Sequence, residues 1–508
     1  MGRLYYQSKH IPLYNSDCRV MSELRDESVQ CVVTSPPYFG LRSYEGKQDL
    51  EWGGDKNCEH EWVGVCPRRT RSETDIKDPL SKEATKSASA FNAKPSDFCQ
   101  KCGAWRGALG LEPTPEMYVT HIVEIMQEVK RVLRSDGVCF LNIGDSYDGS
   151  GGAHKENHAN PGISKSFNRQ GVPHYGDLGM PERYLAPKGL KPKDMCLIPQ
   201  RLAIALQSDG WWVRSDIIWN KKNPMPSSVN GWRWEKHRIK VGNESPRTQA
   251  GKIEGFRKHS GYDIEGAKWI DCPGCEKCLP NDGLVLRKGS GRPTNSYEHI
   301  LMLTKSGDYF FDTEAVREKY SPTVRWGGDK YKGAVKQYSN NEDAGLARER
   351  SCYPNTGRNI RDVWSFPTKA FKGAHFAVFP EKLPEICIKA ATSEKGCCPK
   401  CGSPWTRIVK RHGSGPARKE RKNTAIRLTR IAGQEWQTWK NEHPDETLDW
   451  RPTCSCGLDP VPCTVLDPFA GAGSTLLAAK KLGRKGVGYE ISSAYCKMIE
   501  ARVNRILL

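Results

Sequence analysis

A glycine-rich turn late in the chain, Asp467-Pro-Phe-Ala-Gly-Ala-Gly-Ser-Thr475, places the strictest constraint on the fold. An apolar strand at 464–467 precedes this turn, and a helical segment at 474–482 follows it. Glycines at a crossing from strand to helix let the backbone approach a ligand without a side chain in the way. The sequence therefore predicts an α/β unit whose turn binds a nucleotide-like ligand.

The next strand, at 485–489, narrows the class of ligand. It ends at Glu490, a position from which a carboxylate can accept hydrogen bonds from ribose hydroxyls. The chain lacks the G-x-G-x-x-G pattern of dinucleotide sites and the G-x-x-x-x-G-K pattern of P-loop NTPases. An adenosyl group other than a dinucleotide or a nucleoside triphosphate fits this pattern.

Strand and helix patterns alternate elsewhere in the chain as well. Apolar runs predict strands, and apolar residues at helical spacing predict helices. Strands are predicted at 30–34, 138–143, 211–219 and 299–304, and helices at 115–133, 201–206, 380–391 and 493–504. This alternation is typical of a layered α/β domain with a mainly parallel sheet.

A proline loop, Thr34-Ser35-Pro36-Pro37-Tyr38, follows the first predicted buried strand. The Ser35 hydroxyl and the Pro36 carbonyl can accept hydrogen bonds from an exocyclic amino group, and the prolines hold both acceptors in place. Tyr38 can stack on a base that has rotated out of a duplex. An ordinary proline turn is the alternative, and the presence of the Asp467 turn in the same chain argues against it.

These motifs resemble those of S-adenosylmethionine-dependent amino-methyltransferases. The loop at Ser35 resembles motif IV, the turn at Asp467 resembles motif I, and Gly488-Tyr-Glu490 resembles motif II. Their order, with motif IV first, is similar to the permuted β class of DNA amino-methyltransferases. Softer matches are Asn15-Ser-Asp-Cys18 with motif III and 375–383 with motif X. The resemblance covers most of the chain outside the insertions.

The resemblance implies a fold and an activity. The fold is a Rossmann-like α/β sheet of seven mainly parallel strands, with helices on both faces and zinc-stapled insertions. The activity is methyl transfer from S-adenosylmethionine to an exocyclic amino group, and Ser35 before P-P-Y favours cytosine N4 over adenine N6. The alternatives are an RNA or protein-amide methyltransferase, and a catalytically dead, zinc-dependent DNA-binding protein.

The resemblance also implies site residues. The catalytic residues are Ser35, Pro36, Pro37 and Tyr38. The cofactor-binding residues are Asp17, Thr34, Phe379, Asp467, Pro468, Phe469, Ala470, Gly471, Gly473, Ser474, Thr475 and Glu490. A C5-cytosine enzyme needs a nucleophilic cysteine downstream of its cofactor motif. Pro462-Cys463 precedes that motif, so we interpret it as structural.

Clustered cysteines predict structural zinc, because closed sites of four Cys or His ligands leave no position open for a substrate. Two complete ligand sets are Cys398, Cys401, Cys454 and Cys456, and Cys58, His60, Cys99 and Cys102; Cys397 and Cys66 are substitutes. A third set, Cys272, Cys275 and Cys278, lacks a fourth ligand, for which Cys352, Cys66 or a histidine is a candidate. Zinc would stabilise polar inserts that have little core.

Charge indicates the macromolecular partner. The formal net charge is +19 and the pI about 9.1, which favours double-stranded DNA. Tryptophans alternate with Lys and Arg over 211–238, a mixture suited to phosphate contact and base stacking. No apolar run reaches the roughly 20 residues that span a bilayer. We therefore expect a cytoplasmic protein without a membrane partner. The resemblance implies a bacterial cell or a phage-infected host, and it adds a cognate restriction endonuclease as a candidate partner.

Polar stretches between the predicted elements divide the chain into modules. The catalytic core is predicted at 1–51 (motifs III and IV), at 113–227 with a loop at 147–195, at 293–394 with a target-recognition segment, and at 458–508 for the cofactor. Insertions are predicted at 52–112, 228–292 and 395–457.

Overall fold

The computed structural model describes twelve segments of the chain. They are residues 2–8, 10–40, 48–65, 96–147, 190–191, 193–224, 230–241, 268–289, 291–318, 358–369, 378–410 and 446–505. They form two compact units, one built from Met1–Lys222 with Tyr297–Leu508 and the other from Asn223–Ser296.

The helices and strands of both units are numbered in chain order. The strands are β1 (Arg3–Gln7), β2 (Pro12–Asn15), β3 (Val29–Thr34), β4 (Leu50–Trp52), β5 (Trp62–Val65), β6 (Ser96–Cys99), β7 (Trp105–Gly107), β8 (Leu133–Ile143), β9 (Trp212–Lys221), β10 (Arg233–Lys236), β11 (Arg238–Val241), β12 (Lys268–Asp271), β13 (Leu284–Arg287), β14 (Tyr297–Thr304), β15 (Val363–Phe366), β16 (Trp405–Lys410), β17 (Glu446–Pro452), β18 (Thr464–Asp467) and β19 (Lys485–Tyr489). The α-helices are α1 (Pro115–Val132), α2 (Ile198–Ser208), α3 (Lys382–Ala391), α4 (Ser474–Lys481) and α5 (Ser493–Asn504).

The first unit is organised by a mixed sheet with the strand order β1-β2-β19-β18-β3-β8-β14-β9-β15. Five of the neighbouring pairs are parallel, so the sheet is mainly parallel, as predicted. Its described part has nine strands rather than the predicted seven. The two edge strands, β1 and β15, are short and largely exposed, and no periodic apolar pattern marked them.

Helices cover both faces of this sheet. All six residues of β3 are buried, as expected for a strand covered on both sides. Val32 packs in one core with residues of α1 and α2, whereas its neighbour Val33 packs in another with residues of α3 and α4. A third, smaller core joins α5 to β2 through Ile499 and Leu13.

Hydrogen bonds and a proline near the first turn account for where α1 and α2 begin. Thr114 caps α1 by accepting a hydrogen bond from Met117 N, and Pro115 occupies the first turn. The carboxylate of Asp145, just after β8, accepts hydrogen bonds from Leu197 N and Ile198 N at 3.1 Å each. Asp145 therefore links the end of β8 to the start of α2.

The periodic segments of the sequence are confirmed as α1, α2, α3, α4 and α5 and as β3, β9, β14, β18 and β19. The largest boundary error is in β8, which begins at Leu133, five positions before the predicted start at 138. Leu133 still pairs with Val29, and an irregularity in the β3–β8 register absorbs the residues between. Residues 134–137, between the predicted helix and the predicted strand, are thus part of the strand.

Two small sheets accompany the main sheet in the first unit. One has the order β4-β7-β6-β5, and its Trp52 and Trp105 stack on the His121 ring of α1 with centroids 4.3 and 5.4 Å away. The other is the β16–β17 hairpin, whose Arg407 pairs with Asp312 at 2.8 Å. Both are therefore anchored to the main domain.

The second unit consists of two antiparallel strand pairs, β10–β13 and β11–β12. It spans 223–296, close to the insertion predicted at 228–292. Within the described residues of both units, helices that combine the length and the hydropathy needed to cross a bilayer are absent.

Candidate active site and metal clusters

A single pocket of the first unit collects the motifs that lie far apart in sequence. It has an empty volume of about 970 Å³, including its opening to solvent. Among the predicted site residues, those that line it are Asp17, Ser35, Pro36, Pro37, Tyr38, Phe379, Pro468, Phe469, Ala470, Gly471, Ser474 and Glu490. The pocket lies at the carboxyl ends of β3, β18 and β19, where ligands of open α/β sheets bind.

Four other predicted cofactor residues lie around the pocket without lining it. Thr34 Oγ1 donates to Asp467 Oδ1 at 2.7 Å, and Thr475 Oγ1 donates to Val33 O at 3.1 Å. These bonds tie the end of β3 to the end of β18 and to α4. Gly473 precedes α4 at φ +76°, and a Cβ there would lie 3.1 Å from Ile499. Their observed contacts hold the turn in shape.

Asp467 is a buried carboxylate with an unsatisfied oxygen. Its Oδ1 accepts from Thr34 and from Phe469 N at 3.1 Å, whereas its Oδ2 has no hydrogen-bond partner among the described residues. Burial disfavours the charged form and raises the pKa of Asp467 to about 6, although the hydrogen bonds oppose this shift. A cationic or N–H donor group would satisfy Oδ2.

Glu490 directly follows β19 and contacts the glycine-rich turn. Gly471 N donates to its Oε2 and Ser492 N donates to its Oε1, both at 2.8 Å. Burial raises the pKa of Glu490 to about 7, against the effect of these two N–H donors. Gly471 has φ +51°, a conformation that glycine adopts without strain. Each carboxylate oxygen keeps a lone pair that can accept from a ligand hydroxyl.

The proline loop after β3 is held by contacts on two sides. Tyr118 Oη donates to Pro37 O at 2.8 Å. The ring of Tyr38 lies against Gly144, where a Cβ would be only 2.7 Å from its Cε2. Ser35 and Tyr38 are both partly exposed to the pocket. The loop is thus fixed by its surroundings as well as by its prolines.

Three residues that the sequence analysis did not assign to this loop lie behind it, and Lys221 among them was predicted only as part of the basic stretch at 211–238. Tyr38 Oη donates to Glu298 Oε2 at 2.8 Å, and Asn142 Nδ2 donates to Tyr38 Oη at 2.7 Å. Lys221 Nζ forms an ion pair with Glu298. The only signal in the sequence is a lone acidic residue near the start of an apolar strand, which without strand pairing points to no partner.

The softer matches to motif III and motif X each contribute a predicted site residue to the lining of the pocket. Asp17 lines it, and its carboxylate also accepts from Arg19 N at 2.9 Å and Arg19 Nε at 2.7 Å. Phe379 lines it as well. The remainder of the motif X match before Val378, at 375–377, lies outside the described residues.

Three groups of four side chains have the geometry of metal sites, with ligand atoms within 4.8 Å of one another. They are Cys58, His60, Cys99 and Cys102; His237, Cys272, Cys275 and Cys278; and Cys398, Cys401, Cys454 and Cys456. One sulfur pair in each group lies 3.7 or 3.8 Å apart. Tetrahedral zinc with Zn–S bonds of about 2.3 Å needs sulfurs roughly 3.8 Å apart. Each group therefore fits zinc.

His237 is the fourth candidate ligand of the group that contains Cys272, Cys275 and Cys278. Its Nδ1 lies 3.3 Å from Cys275 Sγ, so the fourth candidate ligand is a histidine of the same unit. Cys66 and Cys352, the other candidates, lie outside the described residues. In the third group the structure brings in Cys398 rather than the substitute Cys397.

The tryptophans of the aromatic and basic stretch divide into two sets. Trp211 and Trp219 are buried, and Trp212, Trp232 and Trp234 are exposed. Lys288 Nζ lies 4.8 Å from the Trp232 ring centroid. The exposed set has the composition that a nucleic-acid surface needs.

Known proteins similar to this chain are DNA methyltransferases. The chain matches the model of the DNA methylase family N6_N4_Mtase over residues 29–399 and 463–501. It is 29% identical over 374 residues to the Type II methyltransferase M.Cfr9I of Citrobacter freundii, covering 73% of this chain and 69% of that protein. It is 25% identical over 483 residues to the Type II methyltransferase M.SmaI of Serratia marcescens, covering 95% and 86%. A solved structure, the cytosine-N4-specific PvuII DNA methyltransferase, aligns at 12% identity and a TM-score of 0.40 over 100% of this chain and 91% of that one.

Proposed function

Because the chain belongs to the N6/N4 DNA methylase family, we propose that it methylates the exocyclic amino group of a flipped-out base in double-stranded DNA. The methyl donor is S-adenosylmethionine, and the favoured target is cytosine N4. One observation carries this proposal: the Ser35 to Tyr38 loop and the Asp467 to Thr475 turn, distant in sequence, line or support one pocket. The motif order supports membership of the permuted β class.

The residues around the pocket fit an adenosyl ligand with a charged amino acid tail. Glu490 would accept the ribose hydroxyls, since it lines the pocket and its Oε2 is held by Gly471 N of the glycine turn. The unsatisfied Asp467 Oδ2 and the unsatisfied Ser474 Oγ would bind the polar amino acid end. Asp17 would bind the adenine, and Phe379 would cover the methionine part. When bound, S-adenosylmethionine supplies an electrophilic methyl group.

The proline loop would present the target base. Ser35 Oγ and the Pro36 carbonyl would accept the two amino hydrogens and so direct the nitrogen lone pair toward the methyl group. The Tyr38 ring, supported on Gly144, would stack on the base and replace the stacking lost on flipping. Positioning of this kind supplies a large share of the rate in a direct displacement.

Cytosine is favoured because a serine precedes P-P-Y. The experiment incubates the protein with labelled S-adenosylmethionine and unmethylated duplex DNA, followed by nucleoside mass spectrometry. We expect N4-methylcytosine. If only N6-methyladenine formed, the target base would be adenine and the amino-methylation mechanism would stand. If 5-methylcytosine formed, the proposed mechanism would be wrong. Duplex RNA as competitor tests the nucleic acid class, and RNA as the better substrate would overturn the DNA assignment.

Ser35→Ala tests the loop in the same assay. We expect turnover to fall about 100-fold or more with cofactor affinity unchanged, because the hydroxyl contacts the base and not the cofactor. Ser208→Ala, an exposed serine at the end of α2, is the matched control and should behave as the wild type. Equal turnover in both variants would contradict the role of Ser35.

Structural zinc completes the proposal. Three ions per chain would be held by the three four-ligand groups, one of them with His237. Zinc would then staple the predicted insertions at 52–112, 228–292 and 395–457, and the predicted core segments between them would carry the chemistry. Target recognition would fall to the segment at 293–394 and to the exposed tryptophans of the insertion at 228–292. Type II relatives support a cognate restriction endonuclease as partner.

A further inference from the structure

Four adjacent strands deliver one polar residue each to the same end of the sheet. Ser35 follows β3, Asn142 lies on β8, Glu298 on β14 and Lys221 on β9, and these strands are consecutive in the sheet. β14 runs antiparallel to its neighbours, so its first residues meet the last residues of β8 and β9. A polar cluster therefore lies directly behind the proline loop.

Hydrogen bonds in this cluster run in one direction. Ser35 Oγ donates to Tyr38 Oη at 3.1 Å, and Tyr38 Oη donates to Glu298 Oε2 at 2.8 Å. A phenol oxygen has one proton to donate and two lone pairs. Tyr38 accepts from Ser35 and Asn142, so its own proton is directed at Glu298. The chain leads from the pocket to a carboxylate.

Glu298 is held as the acceptor at the end of this chain. Asn142, 2% exposed, donates from Nδ2 to Glu298 Oε2 at 2.8 Å. Lys221 bonds the other oxygen, and the Glu298 side chain is 14% exposed. The groups that Lys221 and Asn142 turn toward Glu298 are donors. His299, the next residue of β14, faces the other side of the strand and bonds Asp216. Among the described residues, Glu298 is thus the acidic group at the end of the hydrogen-bond chain.

The proposed reaction requires such an acceptor. The amino nitrogen gives its lone pair to the new N–C bond while the C–S bond breaks and its electrons stay on sulfur. The nitrogen then carries a methyl group, both original protons and a positive charge. One proton must leave to restore the neutral base, and Ser35 Oγ, one of the two proposed acceptors of the amino hydrogens, is the one that also donates to another side chain.

We propose that Glu298 is the terminal proton acceptor of methyl transfer, acting through Tyr38 and Ser35; this inference rests on the proposed function. An amino proton passes to Ser35 Oγ, the Ser35 proton passes to Tyr38 Oη, and the Tyr38 proton passes to Glu298 Oε2. Glu298 later releases it to water. Before transfer, the negative charge at the end of the chain stabilises the positive charge that develops on nitrogen. Lys221 and Asn142 are positioning residues.

Two variants separate this relay from a purely structural role. Glu298→Gln keeps an oxygen that can accept from Tyr38 but cannot take up a proton, and Tyr38→Phe keeps the stacking ring without the hydroxyl. We expect kcat to fall about 100-fold or more in each, with cofactor Kd and DNA KM within about twofold of wild type. Glu385→Gln, which changes a half-buried carboxylate of α3 paired with Lys389, is the matched control.

The pH profile of kcat supplies the second readout, at saturating cofactor and DNA. In the wild type kcat should fall on the acid side of the profile, and this limb should be absent in both variants. Wild-type kcat with a retained acid limb in Glu298→Gln overturns the relay. If Glu298→Gln fails to fold, Tyr38→Phe decides by the same criteria.

A wild type that forms no N-methylated base overturns the proposed function and the relay together. Wild-type product formation with unaffected variants overturns the relay alone.

Discussion

Glu490 is the residue whose titration should be visible in cofactor binding. Its pKa of about 7 in the free protein means that it is largely protonated at pH 6. Ribose hydroxyls donate to the ionised carboxylate, so binding favours loss of this proton. The affinity for S-adenosylmethionine should therefore rise with pH up to about 7 and fall up to about tenfold per pH unit below it. Calorimetric titration between pH 5.5 and 8 measures this.

Glu490→Gln is the control for that titration, because its amide stays neutral over the whole range. Its affinity should be weaker at pH 8, and the part of the pH dependence that belongs to Glu490 should be missing. A wild-type pH profile in this variant would assign the titration to another group, such as Asp467, whose pKa is about 6.

Gly471 should not tolerate a side chain, because its backbone conformation favours glycine and because it lines the pocket. Its φ of +51° is strained for valine, and its N–H bonds Glu490 inside the pocket. Gly471→Val should weaken cofactor binding at least tenfold, about 1.4 kcal/mol or more. Gly483→Ala, at φ +69° with open space around it, is the matched control. It should lower the melting temperature and leave cofactor affinity unchanged; equal affinity loss in both would indicate a general folding defect.

At the scale of elements, the metal groups make a countable prediction. Purified protein should contain three zinc ions per chain, and His237→Ala should lose one of them because the second group then has only three ligands. Metal analysis by mass spectrometry measures the count. His10→Ala, a histidine outside all three groups, should keep three ions. Retention of three ions by His237→Ala would assign the fourth ligand to another residue.

Elements with a strong period could be predicted from the sequence, and elements defined by distant pairing could not. The helix α1 was predicted to within a residue because its buried residues recur at helical spacing. The edge strands β1 and β15 were missed because they are short and mostly exposed, and only their neighbours make them strands.

The candidate site divides in the same way. Ser35, Asp467 and Glu490 were predicted because each belongs to a contiguous motif. Glu298 was missed, and His237 was not singled out among the candidate ligands, because their partners lie elsewhere in the sequence and no local pattern encodes that pairing. Sequence motifs therefore located the pocket, and the sheet was needed to find the residues behind it.

At the scale of the whole molecule, the charge of +19 should dominate DNA binding. Neutralising roughly six phosphates would lower affinity by about 1,000-fold between 50 and 200 mM salt, because counterions are released on binding. Fluorescence anisotropy with a labelled duplex measures this slope. A duplex of the same length and unrelated sequence should give a similar slope with weaker binding. Affinity that is independent of salt would contradict an electrostatic DNA surface.

The insertion of β18 and β19 between β2 and β3 has a consequence for biosynthesis. A ribosome makes Thr34 and its partner Asp467 433 positions apart, yet they are hydrogen-bonded in the finished sheet. Until the late strands leave the exit tunnel, β2 and β3 have no strand between them and the glycine turn does not exist. The cysteine-containing modules precede these strands in the chain, whereas the pocket can close only when the last strands are available. Every ribosome that stalls or releases early therefore yields an inactive product, and activity appears in one step.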